Sequence, residues 1–202
     1  MNVAVLASGE GTNLQALLDR VHGRDGVQVV AVASDKPGAR ALERARRAGV
    51  PVQAFPAASY SGRAERDSAM AEWLVAHGVE LVVLAGYMQL LSGEFLSQFA
   101  AGVVNVHPAL LPAFPGLHAV EQALAYGVKV FGVTVHFVDG GVDTGPVILQ
   151  RAVELPDARG AEMVLERLHP IEHELLPEAV RLIARGAVRA DPANPRRVVI
   201  ER

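Results

Sequence analysis

The sequence contains no cysteine among its 202 residues. This absence excludes disulfides, thiolate metal sites and a cysteine nucleophile, while the redox compartment stays undetermined. Neither sign of charge dominates, because the chain has 19 Lys and Arg and 22 Asp and Glu, which gives a formal net charge of -3. That balance gives no electrostatic reason to expect a nucleic-acid or membrane partner. The opening MNVAVLASGEG lacks a basic region, and its apolar run is too short for a signal peptide or membrane span. We therefore expect a cytoplasmic protein.

The composition is that of an ordinary globular protein, with 50% hydrophobic and 20% charged residues. Internal repeats, low-complexity tracts and dividing linkers are all missing from the sequence. A chain of this length has enough residues for one well-buried core. We expect a single domain over residues 1–202, with an N-terminal half of about 1–100, a second half of about 101–186 and a tail of 187–202.

In the first half, short β-branched runs alternate with amphipathic segments, which is typical of an open α/β sheet with helices on both faces. The runs are continuously apolar, which favours parallel strands buried on both faces. The predicted strands are NVAVLA, VQVVAVAS, VPVQAF, VELVVLAG and GVVNVH. The predicted helices are residues 14–21, ALERARRAG, GRAERDSAMAEWLVAHG and residues 93–100.

The pattern changes from Val130 onward, where VFGVTVHFV and PVILQRAVEL flank the glycine-rich DGGVDTG with no room for a helix. This spacing predicts a long antiparallel hairpin at the sheet edge. A late helix over residues 160–186 should be interrupted by Pro170 and Pro177, and the tail should be a loop with a short terminal strand. The predicted fold is α/β: a single-domain Rossmann-like open sheet, mostly parallel, with an antiparallel C-terminal hairpin.

The stretch SGEGTNLQALL places two glycines at the first strand-to-helix turn. Backbone N–H groups at such a turn, together with the helix N-terminus, favour phosphate binding. One alternative is a tight turn capped by Thr12 or Asn13. Another is a nicotinamide site, since Asp35 follows the second strand, where a ribose-binding acid lies in such a fold. Against this alternative, position 14 is leucine, whereas a dinucleotide fingerprint has its third glycine there.

The stretch VVNVHPALLPAFPGLHA places Asn105 and His107 on one face of a strand that Pro108 ends. An amide and a protonated imidazole are the donors that an anionic tetrahedral intermediate requires. Asp143, in the hairpin loop, would supply a carboxylate that raises the pKa of the histidine. In the alternative interpretation, His107 is a satisfied structural residue and Asp143 makes local turn hydrogen bonds.

Four segments together resemble the phosphoribosylglycinamide formyltransferase family, the folate-dependent transformylases of purine synthesis. They are ASGEGTNLQAL, VVLAGYMQLLS, VVNVHPALLPAFPGLHA and GVTVHFVDGGVDTGPVILQ, in the order and spacing of that family. The resemblance runs from Met1 to about Gly186. Methionyl-tRNA formyltransferase and formyltetrahydrofolate hydrolase are similar over the catalytic half, but each carries an additional domain for which 202 residues leave no room.

The resemblance implies direct formyl transfer from 10-formyltetrahydrofolate, a cosubstrate, to glycinamide ribonucleotide, without metal or covalent enzyme intermediate. It implies that the first half holds the nucleotide phosphate and the second holds the folate. Asn105 and His107 would stabilise the oxyanion, and Asp143 would keep His107 charged. The nucleotide positions are Gly11, Thr12, Asn13, His169 and Glu172. The folate positions are Arg63, Met88, Gln89, Leu90, Leu91, Asn105 and the loop residues Asp139, Gly140, Gly141, Val142 and Asp143.

The sequence departs from the family pattern at several of these positions. Gln89 stands where many relatives carry arginine, which removes a charge contact, and Ala109 stands where serine is common. Pro170 should bend the helix that presents His169. Glu10 lies beside the proposed phosphate turn, where its side chain has to point outward to water.

Two other formyl-folate activities fit the same motifs, a 10-formyltetrahydrofolate hydrolase and a sugar-nucleotide formyltransferase. From another class, a non-catalytic Rossmann-like nucleotide-binding module has no need for the Asn105, His107 and Asp143 set. We expect small-molecule substrates, no nucleic-acid or membrane partner, and either a monomer or a homodimer.

Overall fold

The structure is a computed structural model that describes residues 1–201. It contains two compact units, one of residues 1–105 and one that starts at Val106. The prediction of a single domain over residues 1–202 therefore stays a prediction. Over the described residues, no helix is both long and apolar enough to cross a membrane.

The first unit is built from parallel strands that alternate with helices. Its strands follow the spatial order β3-β2-β1-β4-β5, and every pair is parallel. Val3–Leu6 and Leu81–Leu84 are buried throughout, as expected for strands covered on both faces. The elements are β1 Asn2–Leu6, α1 Thr12–Arg20, β2 Gln28–Ser34, α2 Arg40–Arg47, β3 Val52–Ala54, a 3₁₀ turn Ala57–Ser59, α3 Arg63–Ala76, β4 Leu81–Leu84, α4 Gly93–Leu96 and β5 Val103–His107.

Parallel pairing brings the carboxyl ends of these strands to one edge. Leu6 at the end of β1 pairs with Ala33 of β2 and with Leu84 of β4, and Leu84 in turn pairs with Asn105. The segments after these strands therefore meet at the edge where open α/β sheets bind ligands. They include the Ser8–Gly11 turn, Asp35 and the residues after Gly86.

The second unit contains an antiparallel hairpin, a long helix and a terminal pair of strands. β6 and β7 pair in antiparallel fashion, β9 lies parallel beside β7, and β8 pairs antiparallel with β9. The helix α6 contacts β6, β7 and α5. The elements are α5 Ala119–Tyr126, β6 Val130–Phe137, β7 Val147–Glu154, α6 Ala161–Ala184, β8 Val188–Asp191 and β9 Asn194–Ile200.

Several predicted details of the second unit are wrong. The hairpin is not at an edge, because β9 covers β7, and the tail forms two strands instead of a loop with one. The helix α6 runs through both Pro170 and Pro177 without interruption. Pro170 is exposed, so water can reach the carbonyl group that its missing N–H leaves without a helical partner. The helix α5 was not predicted.

Candidate active site

Asn105 and His107 lie two residues apart at the end of β5, as predicted, and the strand stops before Pro108. Alternation along the strand places both on one face. Asn105 is partly exposed, whereas His107 is only 4% exposed. The strand therefore presents an accessible amide beside a buried imidazole.

Both ring nitrogens of His107 face hydrogen-bond acceptors. Nε2 lies 2.8 Å from the carbonyl oxygen of Phe114, and Nδ1 lies 3.4 Å from Oδ2 of Asp143. A neutral imidazole carries one N–H and can satisfy only one of two acceptors. Only a doubly protonated ring carries an N–H for each of them.

Asp143 lies between two histidines. Its Oδ2 accepts a 2.7 Å hydrogen bond from the Gly116 amide and faces His107, while its Oδ1 lies 3.5 Å from Nε2 of His136. Burial alone would raise the pKa of Asp143, but hydrogen bonds from His136 and Gly116 and the charges of both histidines hold it below its usual value. Asp143 is therefore a carboxylate at neutral pH.

His136 is a site residue that the sequence analysis missed. It lies in β6 with 1% exposure, and its Nδ1 is 2.8 Å from the carbonyl oxygen of Phe137. Like His107, it has an acceptor at each ring nitrogen, here Phe137 and Asp143. The available signal was a histidine in an otherwise apolar strand, close before an aspartate-rich loop.

The loop that presents Asp143 is held by its own side chains. Oδ1 of Asp139 accepts hydrogen bonds from the Gly141 amide at 3.0 Å and from the Thr144 hydroxyl at 2.5 Å. The bond from Thr144 is the largest cause of the lowered pKa of Asp139, which the charge of Arg196 lowers further. A Cβ on Gly145 would lie 1.8 Å from the carbonyl oxygen of Phe137. The sequence DGGVDTG therefore specifies one compact loop.

The segment of residues 109–116 is anchored beside the same residues. The Thr134 hydroxyl donates to the carbonyl oxygen of Ala109 at 2.7 Å and accepts from the Leu111 amide at 3.2 Å. Phe114 and Gly116 then contact His107 and Asp143 as described above. The segment Leu110–Ala119, which we expect to cover the substrates, thus begins beside a buried anchor and continues to the histidine–aspartate pair.

The first turn is capped by a glycine and not by a side chain. Gly11 is the N-cap of α1 with a left-handed φ of 72°, and no side chain caps the helix, so the alternative with Thr12 or Asn13 as cap is wrong. A Cβ on Gly11 would lie 2.7 Å from the Cα atom of Ala41. Glu10 points outward, as expected, and pairs with Arg40 at 2.9 Å.

The predicted folate positions of the first unit differ in exposure. Arg63 is the exposed first residue of α3, and Met88 and Leu90 are 58% and 59% exposed. The side chain of Gln89 turns inward to Asp35, with 3.1 Å between Nε2 and Oδ2. Asp35, the acid of the nicotinamide alternative, thus already has a protein partner for Oδ2.

The two nucleotide positions on α6 lie one turn apart. His169 is exposed and stacks on His173, with 6.3 Å between ring centroids, whereas Glu172 is 6% exposed. Of the two, His169 alone lies on the exposed face of α6.

A surface cavity of about 370 Å³ lies beside α2 and contains none of the predicted site residues. Its lining includes Arg40, Arg44 and Arg47, of which Arg40 pairs with Glu10 and Arg47 with Glu43. These ion pairs compensate much of its positive charge.

Comparison with known proteins identifies the family. The formyl transferase family model matches residues 1–180. The chain belongs to the formyl transferase family. It is 42% identical to the phosphoribosylglycinamide formyltransferase of Bacillus subtilis over 179 residues, which cover 88% of this chain and 92% of that protein.

Two further relatives connect this formyl transferase to purine-biosynthesis proteins. Identity is 42% over 195 residues to the trifunctional purine biosynthetic protein adenosine-3 of Drosophila melanogaster, covering 94% of this chain but only 14% of that longer protein. The crystal structure of glycinamide ribonucleotide transformylase 1 from Symbiobacterium toebii superimposes with a TM-score of 0.95 at 49% identity, covering 100% of this chain and 94% of that one. The predicted fold class, a mostly parallel sheet with antiparallel C-terminal strands, is confirmed.

Proposed function

We propose that this formyl transferase moves the formyl group of 10-formyltetrahydrofolate onto the amine of 5'-phosphoribosylglycinamide. The products are the formylated ribonucleotide and tetrahydrofolate, in purine biosynthesis. The names of the relatives and their coverage of this chain support the proposal. The expected cytoplasmic location and the monomer or homodimer state belong to the same proposal.

The observation that carries the mechanism is the contact of His107 with Asp143, next to Asn105 on β5. The neutral amine attacks the formyl carbon, a C–N bond forms, and negative charge develops on the formyl oxygen. The Asn105 amide donates a hydrogen bond to that oxygen, and so does Nε2–H of the His107 imidazolium once it leaves the carbonyl oxygen of Phe114. The bond from the carbon to N10 then breaks as N10 receives a proton, and the attacking amine gives one up.

Asp143 supports His107 in this sequence of steps. Its carboxylate stabilises the imidazolium across the 3.4 Å contact and relays a proton between the amine and N10 through water. His136 and the Gly116 amide hold the carboxylate in place from its other directions. His107, the proton donor, thus stays charged until it gives its proton to N10.

The substrate positions complete the proposal. The phosphate binds the backbone of Gly11, Thr12 and Asn13 at the N-terminus of α1, which is suited to an anion. The rest of the nucleotide meets His169 and Glu172. The folate meets Arg63, Met88, Gln89, Leu90, Leu91, Asn105 and the loop Asp139, Gly140, Gly141, Val142 and Asp143.

The test is an assay of tetrahydrofolate release from 10-formyltetrahydrofolate with and without glycinamide ribonucleotide. We expect release only with the nucleotide, in a one-to-one ratio with formylated product. Release without the nucleotide would indicate the hydrolase, and release that needs an amino-sugar nucleotide would indicate the sugar-nucleotide formyltransferase. The His107→Ala variant serves as the control for uncatalysed release.

A further inference from the structure

The Tyr87–Ser92 segment follows β4 and forms neither helix nor strand. Its side chains Met88 and Leu90 are 58% and 59% exposed, so two large apolar residues on one short stretch of chain are open to solvent. Exposed apolar side chains on irregular backbone gain little from core packing. Something other than packing therefore has to fix the shape of this segment.

Side chains from elsewhere in the first unit hold its backbone at every second residue. The Met88 amide donates to the Ser8 hydroxyl at 3.0 Å. The carbonyl oxygen of Leu90 accepts from Nη2 of Arg66 at 3.1 Å, and the Ser92 amide donates to Oδ2 of Asp67 at 2.8 Å. These three bonds replace the ladder bonds that a strand would make.

Two of these contacts come from a buried ion pair at the start of α3. Nε and Nη2 of Arg66 both donate to Oδ1 of Asp67, at 3.1 and 2.8 Å, and the two side chains are 4% and 1% exposed. Burying two charges is costly, and their attraction compensates only when the remaining donors and acceptors are also satisfied. Here the Tyr87–Ser92 segment supplies three further partners, for Nη1 and Nη2 of Arg66 and for Oδ2 of Asp67.

Gln89 connects the ion pair to the sheet edge. Its Oε1 accepts from Nη1 of Arg66 at 3.2 Å, and its Nε2 donates to Asp35 at 3.1 Å. Both polar ends of the side chain are therefore directed inward. The outer face of the segment is formed by Met88 and Leu90 and carries no charge.

We propose that Arg66 and Asp67 are positioning residues for the formyl donor. They fix the Tyr87–Ser92 segment as a rigid, uncharged apolar platform on which the flat ring of the donor lies. Neither residue contacts the donor itself. This inference rests on the proposed function, which assigns the folate to Met88–Leu91. The pinned backbone keeps the platform in shape before the donor arrives, so less ordering is needed on binding. Gln89 contributes by linking Arg66 to Asp35, and its side chain makes no charge contact with the donor.

The kinetic test uses Arg66→Lys, which keeps the charge but loses the planar fork, and Asp67→Asn, which keeps the acceptor for Ser92 but loses the charge. We expect the KM for 10-formyltetrahydrofolate to rise about 10-fold or more, the loss that removal of an orienting partner causes at metal sites. The kcat should stay within about 2-fold, and the KM for the nucleotide should not change. Arg46→Lys, an exposed arginine on α2, is the matched control.

A second readout needs no ligand. Hydrogen exchange at the Met88 and Ser92 amides should accelerate in Asp67→Asn and Arg66→Lys, because a weakened ion pair loosens the whole segment even where Ser92 keeps an acceptor, while exchange in β4 stays as in the wild type. Gln89→Met leaves the ion pair intact, so this variant should fold even where the others do not, and it should show a smaller rise in the folate KM.

The outcomes separate the inference from the proposed function. Unchanged folate KM in all three variants, or unchanged exchange at both amides, would overturn the positioning role. Equal rises in both KM values would point to general destabilisation and overturn it as well. A wild-type protein that binds no folate would remove the proposed function, whereas the exchange measurement would still report whether Arg66 and Asp67 fix the segment.

Discussion

Replacing Asp143 with asparagine tests the proposed roles most directly. Asparagine has the same size, and its carbonyl oxygen can still accept from the Gly116 amide. Its NH₂ group then faces Nε2 of His136 and can donate to it when the His136 proton lies on Nδ1, toward the carbonyl oxygen of Phe137. The change therefore keeps the local packing and most hydrogen bonds and removes only the negative charge beside His107.

The size of the effect follows from the distance. At 3.4 Å and an effective dielectric constant of about 20, two unit charges attract by about 5 kcal/mol. The variant loses only part of this attraction, because hydrogen bonds are retained and solvent already screens the partly exposed carboxylate. A kcat loss of about 10²-fold or more, or about 2.7 kcal/mol or more, corresponds to roughly half of the attraction and lies in the usual range for general acid–base catalysis.

Steady-state kinetics with both substrates measure this loss, and calorimetry with the folate checks that binding is nearly preserved. His107→Ala should be similarly damaging, and the double variant should lose less than the product of the two single losses, because the residues act as a unit. Near-normal kcat in Asp143→Asn would refute the reasoning. Asp143 would then be a turn residue, and another group would have to carry the proton.

Three further predictions follow from the geometry. The pKa of Asp143 is lowered in the folded protein, so its carboxylate should stabilise the fold above its usual pKa of 3.8, and this stabilisation should vanish as the pH falls through the folded pKa. The free energies of unfolding of wild type and Asp143→Asn, measured in urea, should therefore converge at that low pH. Gly11→Ala should lower the free energy of unfolding by about 2 kcal/mol or more and weaken nucleotide binding in calorimetry, because the new Cβ meets Ala41 at a positive φ. Gly9→Ala, the control with open space around its Cβ, should lower the free energy of unfolding by less than about 0.5 kcal/mol. Amide exchange in Leu110–Ala119 should slow when both substrates bind, and identical exchange in free and bound protein would contradict a covering role.

Most of the first unit follows from its sequence, for a physical reason. Parallel strands covered on both faces need continuous apolar runs, and such runs are visible without any knowledge of the fold. The predicted strands at Asn2–Leu6, Gln28–Ser34 and Val103–His107 are confirmed to within a residue or two. The same logic located Asn105 and His107, because a proline that ends a strand marks where side chains reach the sheet edge.

The second unit was harder to predict because its features depend on long-range contacts. The tail strands contain many charged and polar residues, and only pairing of β9 with β7 and β8 makes them strands. Pro170 and Pro177 suggested a broken helix, yet packing of α6 on β6 and β7 keeps it continuous. His136 lay inside an apolar run and its role depends on the folded position of Asp143.

Position 89 shows how far a departure from a family pattern can be interpreted from sequence alone. Glutamine in place of arginine indicated that a guanidinium contact at this segment was lost. In the fold, the guanidinium of Arg66 reaches the same segment from α3 and bonds both Gln89 and the carbonyl oxygen of Leu90. Sequence separation of more than twenty residues hid this contact, and nothing in GRAERDSAM distinguishes a buried arginine from its exposed neighbour Arg63. A single substitution in a binding segment therefore has to be judged together with the side chains that hold the segment, because the new residue can bond to them instead of to the ligand.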